Sequence, residues 1–159
     1  MSKSLKRVSK ALAEAGLNIT PLEMEAETRT AQQAADAAGC ALDQIAKSVI
    51  FAGQSSGQAI LFITAGGNQV DSDKASTVAG EPLGKADAAL IRAQTGFAIG
   101  GVSPVGHLNP IRAFIDPRLL EFDEIFAAAG TPRHIFPIAP DKLLAISGAQ
   151  VSDFTRLSK

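Results

Sequence analysis

Lys47-Ser-Val-Ile-Phe-Ala-Gly53-Gln-Ser-Ser-Gly57-Gln-Ala-Ile-Leu-Phe-Ile-Thr-Ala65 holds two apolar runs, Lys47 to Ala52 and Gln58 to Ala65, around a short polar link. Both runs are rich in β-branched and aromatic residues, which favour strands. The link Gly53 to Gly57 is far shorter than the dozen or so residues that a parallel crossover needs. The pair is therefore expected to form an antiparallel hairpin with a loose loop. Gly66-Gly67-Asn68 marks a second turn directly after it.

Working outward, Lys3 to Ala15 places Leu5, Val8, Leu12 and Ala15 on one helical face, with Gly16 as a stop. Leu17 to Met24 reads as extended, and Pro21 would confine it to a sheet edge or a bulge. Thr30-Ala-Gln-Gln33 has capping-box spacing and opens an alanine-rich helix that ends at Gly39. Leu42 to Ile45 reads as one further turn. Beyond the hairpin, Asp73 to Ala79 and Asp87 to Gln94 read as helices, the second capped by Asp87 and closed by Gly96. Strands are expected at Ile111 to Asp116, Glu124 to Ala129 and His134 to Ile138, with Pro117 to Leu120 as a turn. Pro140-Asp141 opens a last helix, Lys142 to Ile146, stopped by Gly148. The fold class is α/β (α+β): a mixed, largely antiparallel, barrel-like sheet surrounded by helices. No repeat or linker divides residues 1–159, so one domain is expected.

Composition narrows the function classes. The 159 residues include 46% apolar and 19% charged residues, with eight Phe and neither Trp nor Tyr. No run approaches the ~18 apolar residues of a membrane span, and no apolar segment follows the basic N-terminal residues as in a signal peptide. The one cysteine, Cys40, excludes an intrachain disulfide and suits a reducing cytoplasm. Cys40 reads as small apolar filler rather than a nucleophile. A net charge of −1 argues against a protein that grips a long nucleic-acid backbone, DNA included, while permitting contact with a few terminal nucleotides. His107, His134 and Cys40 match no metal signature, so neither metal nor cofactor is expected. Gly80-Glu-Pro-Leu-Gly84-Lys85 has three residues between its glycines where a phosphate loop needs four. No dinucleotide fingerprint or nucleophile elbow is present.

Two stretches remain. Gly96-Phe-Ala-Ile-Gly-Gly-Val-Ser-Pro-Val-Gly-His107 takes an apolar half-strand, Phe97 to Ile99, into a Gly-Gly pair and a Pro-x-Gly turn. Its glycines can serve turn geometry alone, or can expose backbone N–H groups to a polar ligand or an oxyanion. Lys47, at the mouth of its strand, can point to solvent or present a cation on a rigid element.

Taken together, Arg29-Thr30-Ala31, Ala34-Ala35, Gly39-Cys40, Ile45-Ala46-Lys47-Ser48, Gly96, Gly100 to His107 and Ile115-Asp116 resemble the YbaK/aminoacyl-tRNA-synthetase-associated domain family. The resemblance runs in order from about Thr28 to Phe154. It implies hydrolysis of the ester between a wrong amino acid and the 3′ end of a tRNA. It places the family's functional lysine on Lys47, its glycine-rich loop on Gly100 to Gly106 and its loop histidine on His107. An aminoacyl ester is already activated, so positioning and backbone donors suffice. Lys47 would orient the terminal adenosine or polarise the ester, and Gly100 and Gly101 would bind the carbonyl oxygen. Thr30, Ser103, Pro104, Val105, Gly106 and Asp116 would help form the substrate site. Ser103 as a covalent nucleophile lacks a base partner.

Two departures bear on substrate choice. Val105 stands where many members carry Phe, and the Ala65-Gly66-Gly67-Asn68 turn is less polar than usual; neither is expected to touch Lys47 or the loop glycines. The resulting expectation is a trans-editing deacylase for a small amino acid such as Ala, Cys, Ser or Thr, on tRNA-Pro. It would borrow tRNA specificity from prolyl-tRNA synthetase or an elongation factor. The alternative is a non-catalytic module that binds an aminoacyl or nucleotide ligand, or a protein partner.

Overall fold

The computed structural model describes residues 2–156. In chain order the described elements are α1 (Lys3–Glu14), β1 (Leu22–Glu23), α2 (Ala31–Ala38), β2 (Ile45–Gly53), β3 (Ala59–Ala65), α3 (Ser72–Ala79), β4 (Leu83–Lys85), α4 (Ala88–Thr95), β5 (Arg112–Ile115), β6 (Ile125–Thr131), β7 (His134–Ile138), α5 (Pro140–Ser147) and β8 (Gln150–Val151). Single 3₁₀ turns, Leu42–Gln44 and Pro117–Glu121, enter β2 and leave β5.

The sheet runs β1-β7-β6-β2-β3-β5-β8, with β4 added on β2. The β2–β3 hairpin is antiparallel in the register Ala46↔Ala65 through Ala52↔Ala59. β6–β7, β1–β7 and β2–β4 are also antiparallel, whereas β2–β6, β3–β5 and β5–β8 are parallel. The sheet is thus mixed and open, its ends β1 and β8 lying apart in the strand order. β1 is a two-residue edge strand that begins after Pro21, which has no donor to give, and the Met24 N–H beyond it donates to the Arg133 carbonyl.

β3 is buried along its whole length because both of its faces are covered. Successive strand side chains point to opposite faces. Leu61, Ile63 and Ala65 join Leu5, Val8 and Leu12 of α1 in the main core, while Ile60 and Phe62 join Ala75 and Ala79 of α3. On that second face the Phe62 ring meets Phe114, Phe154 and Phe51 at centroid distances of 5.4, 4.9 and 5.7 Å. With no Trp or Tyr in the chain, phenylalanines supply this aromatic contact.

The capping signals hold. Thr30 and Gln33 form a complete capping box on α2, whose Gly39 C-cap adopts φ 69°. Asp87 caps α4, and Gly96 closes it at φ 82°. Two strands were not legible. β4 lies inside the Gly80 to Lys85 stretch, and β8 pairs two residues with β5. Phe97 to Ile99 is not a strand: after α4 the chain turns immediately, and the Gly101 N–H closes the turn on the Ala98 carbonyl. Phe97 is buried in the main core and anchors that turn.

Candidate active site

The site exists because β2 is only partly covered. One edge pairs with β3 from Ala46 to Ala52 without a break. The other edge carries β6 at Ile45 and Ala46 and β4 at Phe51 to Gly53. Lys47 to Ile50 lie in the gap between them. The Gly53 N–H donates to Gln58 O, which sets the phase of the ladder. In an antiparallel pair alternate residues bond to the same partner. Lys47, Val49 and Phe51 therefore turn their backbone groups toward β3, and Ala46, Ser48, Ile50 and Ala52 turn theirs the other way. Ala46 meets β6 and Ala52 meets β4. The N–H and C=O groups of Ser48 and the N–H of Ile50 face the gap, while the Phe51↔Lys85 pairing directs the Ile50 carbonyl to the Ala86 N–H.

A cavity of about 310 Å³ occupies this gap. α2 and the segment before it contribute Thr28, Arg29, Thr30, Ala31 and Ala34; β6 contributes Phe126 to Ala128; the loop after α4 contributes Ile99, Gly100 and Val102. The wall is mostly aliphatic. Polar chemistry comes from Lys47, Ser48, Arg29 and the two threonines. The Ser48 hydroxyl is buried and has no hydrogen-bond partner among the described residues.

Lys47 donates from Nζ to the Gly66 carbonyl at 3.3 Å. The less polar turn after β3 therefore does touch Lys47, against expectation. Gly66 is needed there: a Cβ would lie 2.2 Å from the Leu42 carbonyl oxygen. Burial lowers the Lys47 pKa from the usual lysine range, and the nearby Asp43 and Asp116 charges partly oppose that shift. The result is a partly desolvated cation on a rigid strand, suited to a phosphate or a polarised carbonyl.

Of the other expected site residues, Thr30 and Gly100 line the cavity. A Cβ on Gly100, at φ 91°, would crowd the Arg29 side chain at 3.2 Å. Gly101 faces inward, its Cα packed so tightly on the Thr131 backbone that a Cβ would come within 3.0 Å, and its N–H is already used on Ala98. Only Gly100 of that pair remains as a backbone donor. Ser103 is fully buried, its Oγ accepting from the Val105 N–H. Val105 packs in the main core, and Pro104, Val105, Gly106 and His107 border a different groove, beside Ala11 of α1. The Phe-to-Val departure at Val105 thus does not reshape the cavity. Asp116 is 2% exposed and accepts from the Ala65 N–H, Asn68 Nδ2 and the Arg118 N–H. Asp116 acts on Lys47 through charge rather than by lining the cavity.

His107 is held with its Nε2 2.7 Å from the Ser103 carbonyl and its ring edge-on to Phe97. Burial lowers its pKa, and the Arg7 charge adds to that, while the Ser103 contact opposes it. The neutral Nε2–H tautomer donates to Ser103 O. The unfolded chain then takes up the second imidazole proton more readily than the folded one, so the stability contribution is complete above the ordinary histidine range and is lost as pH falls through it. The melting temperature is expected to drop on acidification through that range, and His107→Gln, which keeps a donor, to flatten the drop. An unchanged pH slope in the variant would refute this assignment.

Sequence reasoning missed Arg29, Ser48, Ile99, Val102 and Phe126 as cavity residues, and Arg7 as a brace. Arg7 donates to Gly96 O at 2.6 Å and to Gly106 O at 3.2 Å, with its guanidinium over the Phe97 ring. One side chain of α1 thereby ties both ends of the loop. Cys40 is no rival nucleophile, since burial raises its pKa. Among the described residues no cluster of His, Cys, Asp and Glu could hold a metal ion, and no helix is long and apolar enough to cross a membrane.

A half-buried lysine over an aliphatic cavity, with a glycine-rich loop at its rim, is the site expected of an editing fold. The chain belongs to the aminoacyl-tRNA editing domain family, whose profile matches residues 25–146. The chain is 44% identical, over 99% of each chain and with a TM-score of 0.91, to a solved structure described as that of a proposed trans-editing enzyme for prolyl tRNA synthetase. Hypothetical protein APE2540 superposes with a TM-score of 0.86 at 26% identity, over 94% of this chain and 99% of its own. The uncharacterised protein YwhH of Bacillus subtilis (strain 168) is 32% identical over 81% of this chain and 82% of its own length.

Proposed function

We propose that residues 1–159 form one editing domain that acts in trans and hydrolyses the ester of a mischarged tRNA, removing a small amino acid such as Ala, Cys, Ser or Thr from tRNA-Pro. The observation that carries this reading is the cavity in the β2 gap: it offers an aliphatic pocket, one partly desolvated cation and a glycine rim, and no nucleophile–base pair. That inventory suits an ester that is already activated and needs positioning more than a triad. The small side chains of Ala31, Ala34 and Ala128 receive the amino-acid side chain. Lys47 orients the terminal nucleotide or polarises the ester carbonyl, Gly100 offers its N–H to the developing oxyanion, and water attacks. Prolyl-tRNA synthetase is the partner that would supply tRNA selection, because a net charge of −1 supports little backbone affinity.

The test is a panel of tRNA-Pro species charged with Pro, Ala, Cys, Ser and Thr, with product analysis. Release of free amino acid and rechargeable tRNA from one or two mischarged members, and not from the Pro-charged one, is expected. Decay of the whole panel at the spontaneous rate would overturn the reading.

Arg7 gives a second check. Arg7→Met frees both loop ends and is expected to lower kcat/KM about tenfold to a hundredfold, the scale of a misplaced reacting group. Arg7→Lys, which can reach only one carbonyl at a time, is expected to recover part of it. Full activity of Arg7→Met would show that the brace is dispensable.

A further inference from the structure

The Ser48 hydroxyl poses a separate question. A buried hydroxyl without a partner costs roughly 1–3 kcal/mol in a dry interior, and the adjoining backbone groups of Ser48 carry the same liability. Both features lie at one wall of one cavity, which Ser48 lines. A site that leaves polar atoms unpaired in the free protein is built to pair them with something else.

We propose that the open edge of β2 is an ammonium subsite: the Ser48 carbonyl and the Ser48 Oγ receive the α-ammonium group of the aminoacyl ester. This deepens the reading of the cavity as an aminoacyl site and rests on it. An ammonium group has three donors; the edge offers two acceptors and leaves the third donor to solvent in the cavity. Successive side chains on a strand point to opposite faces, so Ser48 and Lys47 are directed apart and the two cations do not share one spot. The aliphatic wall opposite, with Ala34 of α2 and Phe126 of β6, takes the side chain. Acylating the amino group removes its charge and leaves one donor for two acceptors. The site therefore accepts free aminoacyl esters and spares N-blocked ones, peptidyl and formylated tRNAs included.

The measurement is calorimetric binding of 3′-deoxy-3′-(L-alanylamino)adenosine, whose amide replaces the labile ester, and of its N-acetyl derivative. Wild type is expected to bind the free amine at least about tenfold more tightly than the acetylated form, the scale of one charged hydrogen bond. Ser48→Ala is expected to lose about tenfold toward the free amine and little toward the acetylated form. Ser48→Thr, which keeps the hydroxyl, is expected to bind like wild type. Ser48→Ala should melt no lower than wild type, since it removes an orphaned group. Equal affinity for both compounds, equal losses toward both in Ser48→Ala, or no binding of the free amine would each overturn the subsite. The expected binding pattern without hydrolysis of any mischarged tRNA would overturn the deacylase reading and keep the subsite. Hydrolysis that proceeds equally on N-acetylaminoacyl-tRNA would do the reverse.

Discussion

Lys47→Ala is expected to lower kcat/KM for deacylation about 10²–10³-fold, the usual loss when one preorganised electrostatic group is removed. The lysine is strong here because it is partly desolvated, held by Gly66 O and fixed on a strand paired across to Thr64. Lys47→Arg is expected to restore little. A planar guanidinium does not reproduce a compact ammonium charge at that carbonyl. Because burial lowers the Lys47 pKa, the charged form is lost at a lower pH than for an exposed lysine. Activity that needs the cation then declines as pH rises through that lowered pKa, and single-turnover rates across alkaline pH read it directly. The fold should not suffer. A lysine whose charged form is disfavoured by folding gives up nothing in stability when it is replaced, so Lys47→Ala is expected to melt no lower than wild type. Wild-type rates in Lys47→Ala would remove the lysine from the mechanism.

The second large effect falls on stability. Asp116→Ala strands the Ala65 and Arg118 N–H groups and the Asn68 amide in a site that is 2% exposed. Hydrogen bonds to a buried charge are worth roughly 1.5–3 kcal/mol each, and some of the freed donors will find water. A net loss of about 3 kcal/mol is expected, lowering Tm by about 10 °C for a chain of this size. The same change removes a negative neighbour of Lys47, so its pKa should fall further and the alkaline limb of activity should move down. A melting temperature within a degree of wild type would show that the carboxylate is not the knot of this turn.

Much of the fold was legible because its signals are local. The β2–β3 hairpin follows from two apolar runs and a five-residue link, and α2 from Thr30, Gln33 and Gly39. The gap in the sheet was not legible. Whether a strand has a neighbour at Ile50 depends on where β6 stops and β4 begins, and β4 is three residues with a glycine at its centre. No window of the sequence encodes that. Lys47 could be singled out, but Ser48 could not, because a serine on a half-buried strand carries no signal until its partners are counted. The loop from Gly96 to His107 misled in the opposite direction. Its residues are contiguous, so they read as one site, yet the chain turns at Gly100 and splits them. Gly100 and Val102 face the cavity, Ser103 is buried, and His107 reaches the groove beside α1. Arg7, which holds both ends of that loop, lies outside the part of the chain that matches the family profile.

The central claim is that the cavity in the β2 gap holds the aminoacyl end of the substrate. Ala128→Phe fills that space from β6 without altering Lys47, Ser48 or Gly100. Single-turnover deacylation of the preferred mischarged tRNA by wild type and by this variant, each shown to be folded by thermal melting, tests the claim most directly. A folded Ala128→Phe protein whose hydrolysis falls at least a hundredfold is the expected result; hydrolysis at the wild-type rate would place the reaction elsewhere on the molecule.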